Sequence, residues 1–269
     1  MREFESEMAA NMNCWDAVTP YHVTSAFYDH ESFMKGKSTL NSIELELLGD
    51  VLGKEILHLQ CHFGQDTISL QRMGASATGL DFSEKAITEA RQCAQKLNLP
   101  VDFHCLNVYQ LSENLNGRQF DIVFTSYGVL GWLPDLDRWA AQVSSALKPG
   151  GRLVLVEFHP VVWMMDYDLN TIAYDYFNSG SIHELQQGTY ADPSAPVSKE
   201  TFSWNHSLED SIQSLITHGL QISQFREYNY SPYNCFRNMS EQEPGKFRIT
   251  HLKHRIPMLF ALEAFKPRQ

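Results

Sequence analysis

The sequence predicts an α/β fold in which helices cover both faces of a largely parallel sheet. From Lys54 onward, short apolar runs alternate with segments of helical period through short joins, and strand–helix repetition of this kind builds parallel sheets. Within the series, residues 120–125 (Phe-Asp-Ile-Val-Phe-Thr) are almost continuously apolar, as a strand buried on both faces must be. The composition agrees: 269 residues with 43% hydrophobic and 20% charged side chains are ordinary for a globular chain and sufficient for a real core.

The first 50 residues read as irregular, then weakly helical. Over 38–52, Leu40, Ile43, Leu47, Leu48 and Leu52 recur near a period of 3.6, ending a helix close to Gly53. Residues 55–60 read as a strand, 64–73 as a helix stopped by Gly74, and 75–80 as a second strand. Ser83 is a favourable N-cap for a helix that reaches Leu97 and is closed by Asn98 and Pro100. Strands follow at 101–106 and 120–125. Over 134–147, Leu136, Trp139, Ala140, Val143 and Leu147 share one helix face, and Pro149-Gly150-Gly151 turns the chain into a strand at 152–158. Residues 160–205 are rich in Tyr, Trp, Asn and Ser and lack a core of their own. They are expected to be an insertion over the site, with a loop at Asp192-Pro193-Ser194-Ala195-Pro196. A helix at 208–218 and strands at 220–228 and 255–264 complete the series, with 231–254 connecting irregularly. The chain is expected to form one domain, 1–269, in which 1–50 supply a helical lid.

Several function classes lose ground at once. The most apolar stretch, 153–165, is broken by Glu157, His159 and Pro160, so no membrane association is expected. The opening Met-Arg-Glu-Phe-Glu-Ser-Glu lacks the basic start and apolar core of an export signal. Five scattered cysteines (Cys14, Cys61, Cys93, Cys105, Cys235) suit reduced thiols, and a cytoplasmic location is expected. A net charge of −11 without a basic run disfavours nucleic acid, where cationic groups at phosphates supply most affinity. His58, Cys61, His62, His104 and Cys105 lack the paired spacings of zinc ligands, and no metal is expected.

Ligands in open parallel sheets bind beyond the carboxyl ends of the strands. There the sequence has Ile56-Leu57-His58-Leu59-Gln60-Cys61-His62-Phe63-Gly64-Gln65-Asp66-Thr67, then Gly79-Leu80-Asp81-Phe82-Ser83. Asp81 lies 20 residues after Cys61, where a carboxylate can accept two hydrogen bonds from ribose hydroxyls. The G-x-G-x-x-G pattern is absent and only Gly64 remains, so a nucleoside without phosphates fits better than a dinucleotide.

The first segment resembles motif I of the class I S-adenosylmethionine-dependent methyltransferases, acid-Leu-Gly-Cys-Gly-x-Gly. Here His58 replaces the acid, Gln60 the first glycine and His62 the second. The wording His58-Leu-Gln-Cys-His-Phe-Gly-Gln-Asp66 resembles that of a particular bacterial subgroup. Phe120-Asp121-Ile122-Val123 is similar to the family's fourth strand. Leu147-Lys-Pro-Gly-Gly151 with Leu153-Val154-Leu155 is similar to its following turn and fifth strand. The likeness spans 54–160 for the common fold. For the subgroup it extends to Trp204-Asn205-His206-Ser207 and Ser231-Pro232-Tyr233.

The resemblance implies a Rossmann-like, seven-stranded, mostly parallel sheet whose last strand, near 255–264, is antiparallel, and S-adenosylmethionine as cofactor. It places Asp81 on the ribose, Phe82 on the adenine, and Asn107 and the Val108 N–H at the adenine edge. Gln60, His62 and Gly64 would line the methionine part, and Ser126 and Tyr127 would flank the methyl group. Cys61, Asp66 and Ser83 complete the expected cofactor contacts.

Methyl transfer is a displacement at an already activated sulfonium carbon, so the protein chiefly aligns donor and acceptor. A base is needed only where the acceptor must lose a proton. The candidates are His159 and His206, then Tyr127 and His22. Trp15, Tyr21, His22 and Tyr28 are the candidate substrate contacts. Together with Phe27 and the insertion's Tyr167, Tyr174, Tyr176, Phe177 and Tyr190, they are expected to line an aromatic pocket under a lid. The function expected is methyl transfer to a small organic acceptor by a monomer or homodimer. A non-catalytic protein binding S-adenosylmethionine or S-adenosylhomocysteine, and a nicotinamide-dependent oxidoreductase, are the alternatives.

Overall fold

The computed structural model describes residues 4–268. Three helices precede the sheet: α1 (Glu5–Thr24), α2 (His30–Met34) and α3 (Ser42–Leu48). The alternating series is β1 (Glu55–Leu59), α4 (Gln65–Arg72), β2 (Ser76–Asp81), α5 (Glu84–Lys96), β3 (Asp102–Cys105), α6 (Leu111–Asn114), β4 (Phe120–Ser126), α7 (Leu136–Ala146) and β5 (Leu147–Phe158). Next come α8 (Pro160–Trp163), β6 (Ile182–Gln187) and β7 (Ser198–Ser203). The chain ends with α9 (Leu208–Thr217), β8 (Gln221–Tyr228), β9 (Met239–Glu243), β10 (Lys246–Ile249) and β11 (Leu259–Phe265).

Seven strands form one sheet in the order β3-β2-β1-β4-β5-β11-β8. The β3 to β5 pairings are parallel, and β11 runs antiparallel to both of its neighbours. The sheet is thus Rossmann-like and mostly parallel, as the sequence predicts. Its strand order reverses between β1 and β4, which opens a crevice at their carboxyl ends.

Both faces are apolar because both are covered. Leu57, Leu59, Val123 and Leu155 pack with Trp139 and Val143 of α7 and Leu215 of α9. Ile56, Ile122, Phe124, Val154 and Val156 pack on the other face with Leu47 and Leu48 of α3. Local signals agree with these elements. The Ser83 hydroxyl accepts the Ala86 N–H to start α5, and Ser207 and Asp210 form a reciprocal capping box on α9.

Four expectations are corrected. Residues 5–24 form a helix of 20 residues rather than an irregular stretch. Its buried side chains include Asn11, Thr19 and His22, so no apolar stripe betrays it. Asn11 instead makes two hydrogen bonds to the Phe202 backbone on β7, at 2.7 and 2.8 Å. The helix expected over 38–52 is shorter, because Asn41 and Glu44 form a capping box at its start and Gly49 ends it. Pro149-Gly150-Gly151 is not a separate turn but an irregularity within β5, where the pairing steps from Phe120 with Leu147 to Ile122 with Arg152. Residues 231–254 contain the β9–β10 hairpin. The insertion likewise holds a hairpin, β6–β7, whose alternating exposure provides no long apolar run to read.

Candidate active site

A cavity of about 800 Å³ lies at the carboxyl ends of β1, β2 and β4, bounded by α1, residues 27–41 and the β6–β7 hairpin. Of the cofactor candidates, Gln60, Cys61, His62, Gly64, Asp66, Asp81, Phe82, Asn107, Val108, Ser126 and Tyr127 line it. Ser83 does not: its hydroxyl caps α5 and donates to Asp16 Oδ1 at 2.6 Å.

The loop after β1 has an unusual backbone. Gln60 (φ 51°), His62 (φ 50°) and Gly64 (φ 81°) are all left-handed, a conformation that costs a non-glycine residue about 1–2 kcal/mol. Gly64 is obligatory for a further reason, since a Cβ there would sit 2.6 Å from the Phe103 ring. The loop shape implied by the motif's glycines is therefore kept, with side chains added at two of the three positions. Gln60 Nε2 donates to the Val129 carbonyl at 3.1 Å, while its Oε1 is buried without a partner among the described residues. His62 Nε2 and His22 Nδ1 share a hydrogen bond of 2.9 Å.

Asp81 closes the loop from the β2 side. One carboxylate oxygen accepts the His62 N–H at 2.9 Å and the other the Ser83 N–H at 2.9 Å. Burial pushes its pKa up from 3.8 to about 6, against the lowering effect of these bonds.

The wall beyond β4 is phenolic and acidic. Tyr127, also left-handed at φ 54°, donates from its hydroxyl to Glu44 Oε2 at 2.6 Å. The Thr39 hydroxyl donates to Asp66 Oδ1 at 2.5 Å. Burial raises the pKa of both carboxyls. The Tyr28 and Tyr190 hydroxyls bond to one another, and Phe27 packs against Tyr190 and Tyr233. Glu157, at the end of β5, accepts the N–H groups of Gly128, Val129, Leu130 and Phe158 at 2.5–2.9 Å and fixes the turn after β4.

Other sequence candidates stand elsewhere and are corrected. His159 caps α8 by accepting the Val161 N–H, and its Nε2 meets Glu227 at 2.9 Å. His206 Nε2 donates to the Leu133 carbonyl at 2.7 Å. Both imidazoles are consumed by structure and neither lines the cavity. Tyr21 packs with Cys14, Val18, Ala195 and Val197. His22 sits one layer behind His62, while Trp15 and Tyr28 do line the cavity. Sequence reasoning missed Glu44 and Thr39, and gave no place at the site to Tyr233, which it met only within the Ser231-Pro232-Tyr233 segment, or to Glu157, which it met only as the acid interrupting an apolar strand.

Among the described residues, no cluster of His, Cys, Asp or Glu side chains could hold a metal ion. No helix among them is long and apolar enough to cross a membrane.

Strand order, switch-point cavity and loop together define a Rossmann-like fold with its site at the carboxyl ends of the central strands. Residues 56–151 match the family described as a methyltransferase domain. An uncharacterized methyltransferase of Synechocystis is 35% identical over 133 residues, which covers 48% of this chain and 59% of that protein. A ubiquinone biosynthesis O-methyltransferase of Nitrosococcus oceani is 31% identical over 130 residues, covering 47% and 54%. The chain thus spans little more than half the length of the curated relatives it matches. The crystal structure of an S-adenosylmethionine dependent methyltransferase from Mesorhizobium loti aligns with a TM-score of 0.58 at 20% identity, over 87% of this chain and 100% of that one. This last likeness concerns the fold.

Proposed function

We propose that the protein is an S-adenosylmethionine-dependent methyltransferase of a small organic acceptor, in the bacterial subgroup marked by His58-Leu-Gln-Cys-His-Phe-Gly-Gln-Asp66. The observation that carries this reading is the buried Asp81 carboxylate, held by two backbone N–H groups beside a left-handed loop and facing the cavity of the switch point. Bound S-adenosylmethionine supplies a methyl group on a positively charged sulfur. Asp81 accepts from its ribose hydroxyls, with Phe82, Asn107 and Val108 around the adenine. Gln60 Oε1, without a partner among the described residues, is an acceptor suited to the ammonium of the methionine part. Ser126, Tyr127 and the phenolic wall bound the space left for the acceptor. The names of the ubiquinone-pathway relatives favour a small acceptor. Residues 1–50 and 160–205 act as a lid that excludes water, in a cytoplasmic monomer or homodimer.

The test is a thermal-shift titration with S-adenosylmethionine, S-adenosylhomocysteine and NAD on wild type and Asp81→Ala. A ligand at 100 times its Kd stabilises the native state by about 2.7 kcal/mol, a shift of about 5–10 °C for a chain of this size. A shift with the sulfur nucleosides that Asp81→Ala loses supports the reading. A shift with NAD alone refutes it.

A further inference from the structure

We propose that Lys199 holds a carboxylate of the methyl acceptor, so that the acceptors are carboxylic acids with an apolar or aromatic body. The inference rests on the methyl-transfer reading and names the class of its acceptor. Lys199 stands on the inner face of the β6–β7 hairpin. The antiparallel register sets Ile182 opposite Ser203, Glu184 opposite Thr201 and Gln186 opposite Lys199, and side chains directly opposite one another share a face. All six line the cavity, and along β6 they alternate with exposed positions. The insertion thus turns a largely polar wall towards the cavity.

Lys199 is the cation of that wall, and it has no counter-ion. Among the described residues, the cations lining the cavity are Lys37, Lys199 and Arg237. Lys37 pairs with Asp29 at 3.0 Å and Arg237 with Asp168 at 3.3 Å. Lys199 has neither an ion-pair nor a hydrogen-bond partner among the described residues. Its Nζ is not one of the sealed nitrogens that lack a partner, so the ammonium faces accessible space. The carboxylate on the same hairpin face is already engaged: Glu184 Oε1 accepts the Tyr174 hydroxyl at 3.2 Å, and Oε2 accepts Gln186 Nε2 at 3.1 Å. Burial lowers the pKa of Lys199, with Cys14 and Glu184 opposing the shift. A partly desolvated ammonium is best stabilised by an anion that hydrogen-bonds to it, and a carboxylate does so strongly. The remaining cavity walls include Phe27, Tyr28, Trp163, Tyr190 and Phe236, which suit a flat, apolar body behind the acid group.

The cofactor has a carboxylate too, but its expected contacts lie elsewhere. Every residue placed on the cofactor falls between Gln60 and Tyr127, inside the segment that matches the methyltransferase-domain family. The β6–β7 hairpin lies outside that segment. A wall added to the common domain bears on what differs between such enzymes, which is the acceptor.

The test uses the full chain loaded with S-adenosylhomocysteine. Benzoate, phenylacetate and cinnamate are each compared with the corresponding primary amide by calorimetry, on wild type, Lys199→Met and Lys199→Arg. In wild type at least one acid is expected to bind about tenfold or more tightly than its amide, the worth of one charge-assisted hydrogen bond. Lys199→Met removes the charge from a side chain of similar length and should abolish that preference, while Lys199→Arg should retain it. S-adenosylhomocysteine itself should bind Lys199→Met within about threefold of wild type. Methylthioadenosine, which has no carboxylate, separates the two sources. Loss of S-adenosylhomocysteine binding in Lys199→Met with methylthioadenosine binding kept would put the carboxylate on the cofactor and overturn the proposal. No acid preferred over its amide in wild type, a comparison that needs no variant to fold, would overturn it as well. So would a preference that survives Lys199→Met. Failure of the wild type to bind S-adenosylhomocysteine at all would instead overturn the methyl-transfer reading beneath it.

Discussion

Lowering the pH below about 6 is expected to weaken S-adenosylhomocysteine binding, because Asp81 must be ionised to accept from the ribose. Its pKa in the folded chain rises from 3.8 to about 6 through burial, a preference for the protonated form of about 3 kcal/mol at 1.36 kcal/mol per pKa unit. The sign follows from linkage. An acid raised in the folded state opposes folding when ionised, so the ligand-free chain gains stability as the pH falls from about 6 towards 3.8. The bound nucleoside, donating two hydroxyls to the carboxylate, favours the ionised form and reverses this. Calorimetry from pH 5 to pH 8 should give a nearly constant Kd above pH 7. Below pH 6 the Kd should rise towards tenfold per pH unit, with proton release on binding in that range. Asp81→Asn should bind more weakly by about 1.5–3 kcal/mol, the worth of a hydrogen bond to a charged group, and without this pH dependence. A Kd flat from pH 5 to 8, or wild-type affinity in Asp81→Asn, would refute the assignment.

Three further outcomes are expected. Gln60→Ala should be less stable than Gln60→Gly by about 1–2 kcal/mol in urea unfolding, since both lose the bond to Val129 but only glycine escapes the left-handed strain; equal midpoints would contradict this. Glu157→Ala strips the acceptor from four backbone N–H groups, three of them in buried bonds, at about 1–3 kcal/mol for each buried donor left unpaired. A loss of at least about 3 kcal/mol is expected by circular dichroism melts in denaturant, and a loss under 1 kcal/mol would show that water takes the carboxylate's place. Limited proteolysis should find 1–50 and 160–205 protected by S-adenosylhomocysteine, and unchanged cleavage there would remove the lid.

The strands from β1 to β5 were legible because parallel strands buried on both faces must be apolar, and because Ser83 and Gly74 punctuate the helices between them. The motif wording directed attention to the turn after β1, and eleven of the twelve residues named there as cofactor candidates line one cavity. The helix α1 was illegible because it buries Asn11, Thr19 and His22 and bonds to a strand 191 residues away. The partners of the histidines were illegible for the same reason. Nothing near His159 or His206 in the chain announces Glu227 or the Leu133 carbonyl, 68 and 73 residues distant. The His22–His62 pair joins residues 40 apart, so each could be named as a candidate but their bond could not. Glu44 and Glu157 lay inside apolar-period segments, where an acid looks like an interruption rather than a buried acceptor.

The most direct test of the central claim is to incubate the protein with carbon-13 methyl-labelled S-adenosylmethionine and small-molecule acceptors, and to follow both products by mass spectrometry. S-adenosylhomocysteine and a labelled methyl product appearing in equal amounts, and neither with Asp81→Ala, is the predicted result. Tight binding of S-adenosylhomocysteine with no labelled product from any acceptor would contradict it, and would leave a protein that binds the nucleoside without transferring its methyl group.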